Sequence, residues 1–304
     1  MEDIKKIRKT ILEIVNKANV SHIGSALSVV DILYSLYFKV ANISFKNIND
    51  KNRDIIILSK GHSSAALYSV LYHRGFLGKD EIDKYSLDNG TLPCHIDREK
   101  SPFFEVSSGS LRHGASLGVG FALAKKIDKY SGRVFVICGD GECNEGSVWE
   151  ALMFASSHKL NNFVFIVDYN KLQGFGKTNE IIDQSNLEDR IKTFGFQTYS
   201  IDGNNIKEVT ETLLKTSDKP IAIVANTVKG KGVSFMENRL EWHYKSPNDE
   251  HLEKFAKALG VDIRDLFTFS HLNGKYIPEI NKLLLDADES QLKMVYKVVL
   301  AILR

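Results

Sequence analysis

The sequence predicts an α/β fold, a parallel sheet with helices on both faces, and three observations carry that expectation. Continuous apolar runs of β-forming residues recur at 55–58, 134–138, 163–168 and 221–228, as strands buried on both faces read. Segments with helical spacing separate them, so strand and helix alternate four or five times, the pattern of crossovers in a parallel sheet. Glycines and polar residues gather directly behind these strands, at the carboxyl edge where open parallel sheets hold their ligands.

Composition narrows the class of molecule. The chain has 304 residues, 43% apolar and 26% charged, which suits a globular protein with a sizeable core. The net charge is +2, with Lys and Arg dispersed among acids, so no nucleic-acid footprint is expected. No apolar run is long enough to span a bilayer, and residues 1–18 lack a signal peptide's apolar centre; a cytoplasmic location is expected. Cys94, Cys138 and Cys143 are odd in number and lack paired metal-ligand spacing, which fits reduced thiols.

The elements follow in chain order. Ile4, Ile7, Ile11 and Ile14 or Val15 repeat at helical spacing among Lys, Arg and Glu, giving an amphipathic helix. Small residues around His22 put that imidazole at a loop or helix start ahead of a largely apolar helix; taken alone, it reads more often as a structural histidine. The strand at 55–58 leads to a small-residue helix at 64–72, so His62 falls at a strand-to-helix junction on the carboxyl edge. Residues 78–104 are polar and irregular, with Pro93 and Pro102 bracketing Cys94 and His95. A nucleophile or zinc site there is set aside, because adjacent residues seldom face each other and further ligands are absent. Ser107 to Gly114 forms a glycine-serine loop able to present N–H groups to phosphate, and 118–125 an interior helix of small residues.

The stretch 134–170 organises the rest. After the strand at 134–138, Gly139 and Gly141 flank Asp140 and let the backbone turn sharply and approach a ligand. Trp149, Leu152, Met153 and Ala155 mark the following helix, and the strand at 163–168 delivers Asn170 to the same edge about thirty residues later. A carboxylate and an amide oxygen, with room for water and phosphate, suit a small octahedral cation such as Mg2+. Then come a glycine-containing loop at 171–181, a short helix at 187–196 and an edge strand at 197–201. A helix at 206–216 precedes the strand at 221–228 and a basic glycine loop containing His243, which either steadies a diphosphate or is simply solvated. Residues 1–250 are expected to form one domain and 251–304 a helical C-terminal extension. Within that extension an amphipathic helix is expected over 286–304, with Leu292, Val295, Val298, Val299 and Ile302 on one face and acidic residues at its start. It reads either as a docking or dimerisation helix or as a vestigial appendage.

The Gly-Asp-Gly turn, the helix behind it and the later Asn resemble the thiamine-diphosphate-binding motif. More broadly, SHIGSALS, SKGHSSA, CHID followed by GSLRHG, GDGECNEG with VDYNKLQGFG, and NTVKGKGVSFMENRLEWH resemble, in that order, the N-terminal half of transketolase, from about residue 8 to about residue 250. The chain looks like the separately encoded N-terminal subunit of a split transketolase.

That resemblance implies a thiamine-diphosphate-binding fold, thiamine diphosphate as cofactor, and Mg2+ as metal with Ca2+ or Mn2+ as substitutes. It implies Asp140, Asn170 and the Leu172 carbonyl as metal ligands. His62 and His243 would lie on the diphosphate side with Gly139 and Gly141, and Gly109 and Leu111 would border the aminopyrimidine. His22, His95 and His243 would line the sugar channel, and Glu145 would join an acidic network shared with a neighbouring subunit. Two-carbon ketol transfer from a ketose phosphate to an aldose phosphate is the implied reaction. The acid that activates the cofactor lies in the family's next domain, so a partner chain carrying that domain is implied, in a homodimer or heterotetramer. Another thiamine-dependent carboligase or decarboxylase subunit, and a non-catalytic protein retaining the fold, are the alternatives. Arg112 stands where the family usually has glycine; it either binds an anionic substrate group, disturbs the usual turn, or points outward.

Overall fold

The computed structural model of the chain describes residues 2–248 and, beyond them, 251, 254, 257, 258, 260, 287, 288, 290–292, 294 and 295. The chain divides into two compact units, Met1–Asn248 and Asp249–Arg304.

In the first unit, helix α1 (Glu2–Ala18) buries Ile4, Ile7, Ile11, Ile14 and Val15, the residues its periodicity picks out. The apolar stretch behind His22 forms two short helices, α2 (Ile23–Ser28) and α3 (Val30–Ser35), and a wider turn at Leu36–Val40. Strand β1 (Ile55–Leu58) passes through a single 3-10 turn into α4 (Ser64–His73). The segment expected to be irregular holds a short helix, α5 (Lys79–Asp83), started by Glu81 accepting from the Gly78 N–H at 2.8 Å, and a 3-10 turn at Arg98–Lys100. Helix α6 (His113–Ile127) begins five residues earlier than its small-residue run predicts, inside the glycine-serine loop.

Strand β2 (Val134–Gly139), a 3-10 turn at Asp140–Asn144, helix α7 (Gly146–Ser157) and strand β3 (Phe163–Tyr169) make the central crossover. Short helices α8 (Thr178–Ile181) and α9 (Leu187–Thr193) lead to β4 (Gln197–Asp202), and α10 (Ile206–Leu213) to β5 (Ile221–Asn226). All pairings are parallel, in the order β1-β2-β3-β5-β4. β1 and β4 are the two edges; β4 alternates half-exposed, whereas the runs in β1, β2, β3 and β5 are buried.

One sheet face, carrying Ile55, Ile57, Val134, Val136, Phe163, Phe165 and Val224, packs on Ala115, Val119 and Ala122 of α6 and on Val148, Ala151, Leu152 and Ala155 of α7. Gly118 permits that contact: a β-carbon there would lie 2.2 Å from Val136 Cγ2. The alternate residues Ile56, Ile137, Ile166 and Ile223 are also buried, so both faces are covered. Register sets Gly139 beside Asp168 and Tyr169 beside Asn226, so the chain leaves β2, β3 and β5 at nearly one height.

In the second unit, Asp288 accepts from the Gln291 N–H at 2.9 Å, and Gln291 Oε1 accepts from the Asp288 N–H at 2.9 Å, a reciprocal cap on a helical turn. Residues 290–292, 294 and 295 are helical, and the rest of the helix expected over 286–304 lies outside the described residues.

Candidate active site

Four carboxyl ends of strands converge on a charged floor. Asp168, at the end of β3, is fully buried and salt-bridged to Lys60, which follows β1. It also accepts from Ser28 Oγ at 2.6 Å and from the Thr227 hydroxyl behind β5. Lys60 also donates to the Ser25 carbonyl at 3.1 Å. Both ions are thus satisfied by hydrogen bonds as well as by each other, which a buried pair requires. Asn170 turns its amide nitrogen to Asp168 (3.4 Å) and Ser28 (3.5 Å), while its Oδ1 accepts from the Leu172 N–H at 3.2 Å.

Asp140 sits above this floor, 3% exposed. Its oxygens accept from the N–H groups of Gly141 (2.9 Å) and Lys171 (2.7 Å) and from Thr178 Oγ1 (2.9 Å). Burial pushes its carboxyl up to about 6, against the pull of the Thr178 hydroxyl. Asp140, Asn170 and Leu172 are therefore bound into one turn: a carboxylate, an amide oxygen and a peptide carbonyl, all hard donors. A cation already rests on that set, since the Lys229 ammonium donates to the Leu172 carbonyl at 3.0 Å. Burial, then the nearby Lys60, brings Lys229 down to about 8. Among the described residues no group of three His, Cys, Asp or Glu side chains has metal-holding geometry. Asp140, Asn170 Oδ1 and the Leu172 carbonyl are oxygen donors of the hard type.

The four histidines gather on the same edge. Ring centres lie 5.2 Å apart for His22 and His62, 5.2 Å for His22 and His243, 5.9 Å for His62 and His243, and 6.0 Å for His22 and His95. Backbone ties bring their segments together: the His22 N–H donates to the His243 carbonyl at 2.8 Å, and the Gly230 N–H to the Gly24 carbonyl at 2.9 Å. His22 adopts a left-handed φ of 74° to make this turn. Burial first, and then neighbouring cations and imidazoles, lower His22 to about 4 and His243 to about 3, and hold His62 well below its ordinary value. These three imidazoles are neutral at pH 7. Lys229 donates to His243 Nδ1 at 2.8 Å, which leaves the proton of His243 on Nε2. Gly174 packs closely beside that nitrogen: a β-carbon there would lie 3.4 Å from His243 Nε2 and collide with the Tyr244 hydroxyl at 2.4 Å.

Gly109 has φ 138°, and a β-carbon on it would strike the His95 ring at 2.7 Å, so the loop ahead of α6 lies against that ring. Leu111 next to it is exposed. Cys94 Sγ sits 3.4 Å from His95 Nδ1, and all three cysteines are free thiols. Gly139 and Gly141 line the Asp140 turn, Gly141 closely enough that a β-carbon would touch the Gln173 side chain at 3.2 Å. Arg112 adopts a left-handed φ of 83°, and its guanidinium pairs with Glu145 at 2.8 Å, both side chains about two-fifths exposed. Of the three readings of Arg112, it points outward, held by Glu145. Lys60, Asp168, Ser28 and Lys229 escape sequence reading because their partners lie far away in the chain; only the KGKG loop hinted at Lys229.

A family model described as "Transketolase, thiamine diphosphate binding domain" matches residues 1–283. The chain belongs to the transketolase family. Its fold is the thiamine-diphosphate-binding fold, its cofactor thiamine diphosphate, and the activity it serves is of the transketolase type. An apulose-4-phosphate transketolase subunit of Actinobacillus succinogenes is 39% identical over 258 residues, covering 84% of this chain and 94% of that relative. The 6-deoxy-6-sulfo-D-fructose transketolase subunit SqwG of Clostridium sp. (strain MSTE9) is 38% identical over 247 residues, covering 80% and 90%. The crystal structure of transketolase from Campylobacter jejuni superposes with a TM-score of 0.79 at 28% identity, covering 86% of this chain and 43% of that one. The chain therefore covers nearly the whole length of the relatives named as subunits and under half of the solved transketolase. Among the described residues no helix is long and apolar enough to cross a membrane.

Proposed function

We propose that the chain is the cofactor-holding subunit of a two-chain transketolase, transferring a two-carbon ketol unit between sugar phosphates with thiamine diphosphate and Mg2+. The carrying observation is the stack described above: neutral histidines over a hard-oxygen donor set, at the ends of adjacent parallel strands. Asp140, Asn170 and the Leu172 carbonyl would hold Mg2+; Lys229, His62 and the Gly139–Gly141 turn would hold the diphosphate; Gly109 and Leu111 would face the aminopyrimidine. When bound, the cofactor supplies the nucleophilic carbon and the electron sink. The protein's own work is to bind, orient and handle protons. Asp168 fixes the amide of Asn170 so that Oδ1 faces the metal side. His243 Nε2–H donates to a substrate oxygen as charge grows there, and neutral His22 accepts from or donates to the sugar hydroxyls, with His95 beside it.

The relatives' names as subunits support a separate partner chain, which would bring the acid that activates the cofactor, in a homodimer or heterotetramer. Free thiols support a reducing, cytoplasmic setting. Calorimetry tests the reading: thiamine diphosphate should bind only with Mg2+, and Asp140→Ala or Asn170→Ala should abolish binding. Turnover of a ketose phosphate by the chain without any partner would refute the two-chain reading.

A further inference from the structure

Glu142 belongs to no assigned role, yet it is 2% exposed and accepts three hydrogen bonds from three separate segments. Oε1 accepts from Ser59 Oγ at 2.5 Å and from the Arg112 N–H at 2.7 Å; Oε2 accepts from the Gly139 N–H at 2.8 Å. Ser59 precedes Lys60 and His62 at the end of β1, Gly139 immediately precedes Asp140 at the end of β2, and Arg112 follows Gly109 and Leu111 in the loop ahead of α6. Each bond therefore lands beside a residue of the candidate cofactor seat. Arg112 reaches Glu142 only through its left-handed backbone, and this carboxylate accepts the N–H that the turn presents.

We infer that Glu142 is a positioning residue that fixes the distance between the diphosphate end and the ring end of the cofactor seat. The inference rests on the functional reading given above. Regular sheet structure aligns the strand ends with each other, but it does not align them with the 107–112 loop. The loop is tied to the 96–98 segment by the Ser108 N–H to the Ile96 carbonyl (2.9 Å), the Arg98 N–H to Ser107 Oγ (2.9 Å) and Ser107 Oγ to Asp97 (3.2 Å), none of them at a strand end. Two further ties come from β1 and from the turn behind β2. Ser108 Oγ donates to the Leu58 carbonyl at 2.8 Å, which reaches β1, and the Arg112–Glu145 pair is half in solvent. Glu142 alone touches all three segments, and a carboxylate suits the task because its two oxygens offer only acceptor sites in one plane. An isosteric amide replaces one acceptor with a donor, which would face either the Gly139 N–H or the Arg112 N–H.

The test is calorimetric titration of the full chain, with Mg2+ present, using two probes. Thiamine diphosphate spans both ends of the seat; inorganic pyrophosphate occupies one. Glu142→Gln should weaken thiamine diphosphate by about ten- to a hundredfold and pyrophosphate by less than about threefold. Ser59→Ala, which removes one arm and leaves the carboxylate, should weaken thiamine diphosphate by a smaller factor with the same indifference toward pyrophosphate; it decides alone if Glu142→Gln does not fold. Equal losses for both probes, or no loss for either, overturn the inference. A wild-type chain that binds neither probe, or an Asp140→Ala chain that binds pyrophosphate like wild type, refutes the functional reading instead.

Discussion

Buried titratable side chains set opposing pH dependences at single residues. The folded chain holds Asp140 at about 6, against an ordinary 3.8, so folded protein binds that proton more tightly than unfolded protein. Its contribution to stability falls as pH rises from 4 to 6, leaving a cost on the order of 2–3 kcal/mol at pH 7. Asp140→Asn should therefore remove most of the fall in stability between pH 4 and 7 in metal-free urea denaturation, whatever its offset from the lost acceptor. His22 and His243 act the other way. Their folded values of about 4 and about 3 lie below the ordinary 6.5, so their contribution is fully present above pH 6.5 and is lost as pH falls below it. A His22→Gln variant should flatten the acid side of the stability curve between pH 6.5 and 4. Arg112 carries backbone strain of about 1 kcal/mol and an exposed ion pair contributing less than that. Arg112→Gly should thus stay within about 1 kcal/mol of wild type, whereas Arg112→Ala, which keeps the β-carbon and loses the pair, should be the less stable of the two in the same assay.

At the scale of elements, α6 lies on β2 because Gly118 has no side chain. Gly118→Ala should destabilise by about 1–3 kcal/mol despite the gain in helix propensity, and Val136→Ala should restore part of the loss in thermal melts of the double variant. The elements most legible in the sequence were those governed by burial alone. The strands at 55–58 and 163–169 and helix α1 follow directly from apolar runs and 3.6-residue spacing. Less legible were features that depend on another segment. The early start of α6 requires the Arg112 turn that Glu142 holds, and the break between α2 and α3 falls at Val29 inside an unbroken apolar pattern. The insertion of β5 between β3 and β4 has no local signature. In the site, glycine-flanked Asp140 announces itself, the histidines gain a joint role only through the family resemblance, and Lys60 and Asp168 look like ordinary charges until β1 and β3 are folded.

For the molecule as a whole, ligands that bridge the ends of β1, β2, β3 and β5 bind the folded chain and not the unfolded one. Mg2+ with thiamine diphosphate at a hundredfold above its Kd should add about 2.7 kcal/mol and raise the melting temperature by roughly 5–10 °C, an increase that a chelator should remove. Lys60 and Asp168 meet across 108 positions of sequence in the interior of this unit. Replacing either alone strands a charge in the interior, at about 3–5 kcal/mol, a large share of a typical domain's roughly 5–15 kcal/mol. A lineage cannot easily lose one and wait for the other. Among descendants of this gene the two positions should be inherited as a single character, retained together or exchanged together.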